Sequence, residues 1–70
     1  MGGLYPCIFN AANEQAVELF LQDKIAYLDI FKAVHESLSH FTNASDYSTV
    51  EDVLAQDKET RVFVRSLFAL

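Results

Sequence analysis

The chain has 70 residues, ten acidic against five basic, and a net charge of −5, so it has room for one small core and not for a nucleotide-binding unit beside a substrate domain. The shortage of Lys and Arg argues against a nucleic-acid partner, and no run approaches the roughly 18 apolar residues of a membrane span. With Cys7 alone, no internal disulfide forms, and a soluble, cytoplasmic protein in a reducing compartment is expected.

Two Gly, one Pro and abundant Ala, Leu, Glu, Gln and Lys between turn signals point to an all-α fold, a small bundle of three to four helices forming one domain over residues 1–70. Area scaling predicts a folded surface of about 4,400 Å², with about 60% of the chain's surface buried on folding. So small a core predicts marginal stability, or support from a second copy of the chain or from the rest of a larger protein.

Gly2, Gly3 and Pro6 read as an irregular entry, with Leu4, Tyr5, Ile8 and Phe9 around it. Asn10 is placed as an N-cap whose side-chain oxygen reaches the Asn13 N–H, with Glu14 and Glu18 near the positive end of a helix over residues 11–22. Ala12, Ala16 and Leu19, with Val17, Phe20 and Leu21, form its apolar side, and the alanines let a neighbouring backbone come near. Asp23 and Lys24 break the pattern, and Ile25 and Leu28 fill beneath the connection.

Asp29 can cap a second helix over 30–41, where Ile30, Phe31, Val34, Leu38 and Phe41 make a core stripe and Lys32, Glu36 and Ser39 face out. The polar run over 42–49 reads as a loop without chemistry. Ser48 and Glu51 spell a capping box for a short helix over 49–55 that turns Val50, Val53 and Leu54 inward. Asp57 then caps a last helix over 58–69, in which Phe63, Leu67 and Leu70 lie beside Val64 and Phe68 and Arg61 and Arg65 stay wet. An apolar arc of roughly 160° predicts cover on two sides.

His35, Glu36 and His40 hint at a zinc motif, but a five-residue step sets the histidines about 140° apart, where one ion cannot take both. Asp52, Asp57 and Glu59 fit caps and a solvated face better than paired catalytic carboxylates. Ser45, Ser48 and Cys7 lie in no nucleophile motif, and Gly2 and Gly3 begin no phosphate loop. Asn10 and Asn13 could orient a ligand, although a cap and a buried amide account for them; losing the cap in Asn10→Ala predicts a cost of about 1 kcal/mol. No catalytic, cofactor-binding or metal residue is assigned to this chain.

The run Asn10-Ala11-Ala12-Asn13-Glu14, with Ala16-Val17, Phe20-Leu21, Ile25 and Asp29-Ile30 after it, resembles the C-terminal helical domain of the 1-deoxy-D-xylulose 5-phosphate reductoisomerase family. The resemblance is close from Gly2 to about Ile30 and resumes more weakly from Val50 to Arg61; Tyr27-Leu28 stands where the family more often shows Phe beside an apolar residue, and Ser37 to Ser48 matches nothing usable. Met1 is expected to be an added initiator, because Gly2 and Gly3 resemble a glycine pair inside the longer family protein.

What the resemblance implies is an oxidoreductase of non-mevalonate isoprenoid biosynthesis. It converts 1-deoxy-D-xylulose 5-phosphate to 2-C-methyl-D-erythritol 4-phosphate with NADPH and a divalent cation, Mg²⁺ or Mn²⁺. The implied partners are the nucleotide-binding and catalytic domains, which this domain would brace while being inactive alone. The rival expectation is a free-standing helical interaction module that binds an amphipathic partner helix, with the likeness confined to a shared helix cap.

Overall fold

In a computed structural model, which describes residues 4–41 and 49–70, the chain forms three helices: α1 (Tyr5–Leu21), α2 (Leu28–His40) and α3 (Val50–Leu67). The all-α expectation holds, and its total surface of 4552 Å² is close to the area expected from the mass. None of the described helices is long and apolar enough to cross a membrane.

Helix α1 lies against both others, which touch each other only slightly. Cys7 meets Val53 and Glu14 meets Arg61, so α1 and α3 run side by side in the same direction.

The start of α1 corrects the expected one. The helix begins at Tyr5, with Pro6 in its first turn, and the N-cap position is Leu4 with no side-chain cap. A proline there gives up an N–H that has no helical partner anyway, and its fixed φ suits the helix. Asn10 therefore lies inside the helix and caps nothing. The buried residues Ile8, Ala11, Ala12, Gln15, Ala16 and Leu19 recur at three and four, a single face over the whole helix. Leu21, expected on the apolar side, falls off that face and is exposed.

The end of α1 explains why Asp23 and Lys24 break the pattern. Lys24 N–H donates to the Leu19 carbonyl at 2.9 Å and Asp23 N–H to the Phe20 carbonyl at 3.0 Å, with Asp23 left-handed at φ 61°. This is a Schellman closure, usually built on Gly. Arg65 to Leu70 repeat it at the end of α3, with Ala69 at φ 58°.

Helix α2 starts at Leu28, before the expected Ile30. Asp29 sits in its first turn, and its carboxylate reaches back to accept the Ala26 N–H at 2.9 Å. The buried stripe is Ile30, Ala33 and Ser37, while Phe31 is exposed and Val34 and Leu38 are half-buried. Small side chains win the inner line because Ala12 and Ala16 of α1 sit in the same core as Ala33, all three without exposed surface. Phe31 lies one residue, about 100°, round the helix from Ile30 and falls outside that line.

The two helices expected over 49–55 and 58–69 are one. Ser48 of the expected capping box lies outside the described residues; the box seen is one position on, with Thr49 Oγ1 accepting from Asp52 N–H at 3.1 Å and Asp52 Oδ2 accepting from Thr49 N–H at 3.2 Å. Asp57 does not cap a new helix: it accepts from Arg61 Nε at 3.0 Å, a pairing across one helical turn that fits an unbroken helix. Val50, Val53 and Leu54 point out, correcting the inward face expected of them, and Leu70 is exposed as well. The buried line of α3 is Gln56, Thr60 and Val64.

Candidate functional site

The Asn10–Glu14 block is the chain's most distinctive stretch, and the structure makes it the central packing surface. Ala11, Ala12 and Ala16 have no exposed surface and Gln15 is nearly buried; Asn10 is exposed and Asn13 half-buried on the flank. Asn10 and Asn13 are not brought together as a ligand-orienting pair at a helix start, since both lie inside α1.

Glu14 fastens α1 to α3. Its Oε1 accepts from Arg61 Nη2 at 2.8 Å, while Arg61 Nε donates to Asp57. Hydrogen bonds to Asp57 and then Glu14 hold the guanidinium more firmly protonated than usual. Arg61 is thus half-buried between two carboxylates, where a fully wet arginine was expected. Beside it, the Cys7 thiol donates weakly to the Val53 carbonyl at 3.5 Å, and burial, then the Asp57 charge, pushes the thiol up from its ordinary value, away from the reactive thiolate.

The core holds polar groups that apolar periodicity passed over. Thr60 Oγ1 donates to the Gln56 carbonyl at 2.8 Å and accepts from Gln56 Nε2 at 3.1 Å, so the pair satisfies itself within one turn. Ser37 Oγ is fully buried and has no hydrogen-bond partner among the described residues. The signal that finds these residues is position: 56, 60 and 64 in α3, and 30, 33 and 37 in α2, each keep helical spacing once small or polar residues are admitted to the stripe.

His35 is exposed on α2, and His40 stacks on Phe63 with centroids 4.2 Å apart and 14° between planes, with Phe41 edge-on to both rings. These rings, with Lys58, Glu59 and Val62, line an open groove of about 440 Å³. Among the described residues no three His, Cys, Asp or Glu side chains stand together as a metal site. Asp29, Asp52 and Asp57 are engaged with Ala26, Thr49 and Arg61. The described residues hold no carboxylate cluster that fits a divalent cation.

Comparison with known proteins gives this packing unit its relatives. The family described as the DXP reductoisomerase C-terminal domain matches residues 1–63. The 1-deoxy-D-xylulose 5-phosphate reductoisomerase of Zymomonas mobilis is 48% identical over 66 residues, which are 94% of this chain and 17% of the relative. The enzyme of the same name from Clostridium novyi is 41% identical over 68 residues, 97% of this chain and 17% of the relative, and that of Rippkaea orientalis is 48% identical over 61 residues.

The chain therefore spans about one sixth of these curated relatives' length, and no solved structure matches it significantly. A likeness confined to a helix cap does not extend over 63 residues, nor does the Ser37–Ser48 stretch interrupt it. A family match over nine-tenths of the sequence, with relatives 41–48% identical over 94–97% of it, shows that the chain belongs to the family of DXP reductoisomerase C-terminal domains.

Proposed function

We propose that this chain is the C-terminal helical domain of a 1-deoxy-D-xylulose 5-phosphate reductoisomerase, an NADPH- and divalent-cation-dependent enzyme that makes 2-C-methyl-D-erythritol 4-phosphate for isoprenoid synthesis. Its part is structural: it braces the catalytic and nucleotide-binding domains, and it carries no catalytic, cofactor-binding or metal residue itself. The observation that carries the reading is the family match over residues 1–63, shared with relatives about six times as long that bear the reductoisomerase name.

The arrangement within the chain supports the bracing role. Asp29 and Asp52 are engaged with backbone N–H groups at helix starts and Asp57 and Glu14 with Arg61, and alanines close much of the interior, while Leu21, Leu28, Phe31, Val50 and Leu54 turn apolar surface outward. NADPH consumption with 1-deoxy-D-xylulose 5-phosphate and Mg²⁺ or Mn²⁺ tests it. The full-length polypeptide should turn over and the 70-residue chain should not; turnover by the short chain, or none by the long one, would refute the reading.

A further inference from the structure

We infer that the corner where α1 passes into α2 is the surface by which this domain docks on the remainder of its own polypeptide. The inference rests on the reading above and adds the face that makes the contact. Leu21 is 74% exposed, Tyr27 59%, Leu28 73% and Phe31 60%. The rings among them are joined, with Phe20 meeting Tyr27 edge-on at 5.7 Å and Tyr27 meeting Phe31 in the same way at 5.8 Å, and Leu21 and Leu28 follow Phe20 and Tyr27 directly in the chain. Only the inner end of this aromatic ladder, at Phe20, packs against the core.

Exposed fractions of this order on two leucines and two aromatic residues present on the order of 500 Å² of apolar surface. That falls below the roughly 800 Å² per partner of stable complexes between separate chains. Counted on both sides, about 1,000 Å² lies inside the 600–1,500 Å² of contacts between domains of one chain. A tether raises the effective concentration to the millimolar range, so a patch too small to hold a second copy suffices for a neighbour on the same polypeptide. The relatives, about six times as long, have such a neighbour to offer. The occupant is accordingly an apolar surface from outside residues 1–70 of the same chain.

The test places the photo-crosslinker p-benzoylphenylalanine in the full-length polypeptide, at position 31 in one preparation and at exposed Leu54 of α3 in another, with NADPH turnover measured on both. Expected is an intramolecular crosslink from position 31 to a peptide outside this domain, in several-fold higher yield than from position 54. A crosslink between two chains, or a yield at position 31 no higher than at position 54, overturns the inference. Turnover separates the two claims: an active enzyme without the intramolecular crosslink refutes only the docking face, whereas an inactive polypeptide with it refutes only the enzymatic reading.

Discussion

Leu19 and Leu21 stand two residues apart in α1, and both belong to the apolar side that hydropathy alone would draw. In the structure Leu19 has no exposed surface and sits in the core with Ile30, Ala33 and Val64, while Leu21 is 74% exposed. Replacing Leu19 by Ala removes three buried carbons, about 2.4 kcal/mol at 0.8 kcal/mol each. A residual cavity of about 40 Å³ adds about 1 kcal/mol, for a total of 3–4 kcal/mol. A domain of this size has about 3.5–10 kcal/mol to lose, and each kcal/mol shifts the melting temperature by about 4–8 °C. Leu19→Ala should therefore lower the midpoint by more than about 12 °C or leave the chain unfolded at room temperature. Leu21→Ala should stay within about 0.5 kcal/mol of the parent. Urea and thermal melts followed by far-UV circular dichroism measure both, with equal urea slopes needed for the comparison. A loss below about 1 kcal/mol at position 19, or equal losses at the two positions, would refute the assigned face of α1.

Asp23 occupies the left-handed position of the Schellman closure, so Asp23→Gly should raise stability by roughly 0.5–1 kcal/mol in the same melts; a loss would mean that its backbone is not left-handed. Thr49→Ala removes half of the capping box and should cost about 1 kcal/mol, whereas Asn10→Ala, inside α1, should gain a few tenths because Ala is the better helix former; the reverse order in urea midpoints would restore the cap to Asn10. Ser37→Ala deletes a buried hydroxyl without a partner among the described residues and should stabilise by about 1 kcal/mol, while destabilisation in a urea melt would reveal a hydrogen bond to that oxygen.

The contrast between Asn10 and Thr49 shows why local motifs were only partly legible. In sequence Asn10 and Ser48 look like caps, but α1 with Pro6 in its first turn already runs past Asn10, and the cap of α3 is Thr49, where the backbone is extended at ψ 172°. At Asp57 the same ambiguity arises, because an aspartate serves equally as a cap or as the partner of an arginine four residues on. Arg61, held also by Glu14 from another helix, goes with an unbroken helix there. For the candidate site, residues 10–14 were legible as a family mark and as a close-packing alanine face. Gln15, Ser37, Gln56 and Thr60 were not, because their burial depends on which neighbour covers them.

Composition and spacing by themselves determined the all-α class, the break after Gln22 and the alanine face of α1, because these depend on backbone preference and on periodicity within one segment. Only the tertiary structure decided which stripe of α2 and α3 faces inward. Where two backbones approach over alanines, steric fit selects Ala33, Ser37 and Thr60 for the interior and leaves Phe31, Val50 and Leu54 at the surface, an outcome that no single helix's hydrophobicity contains.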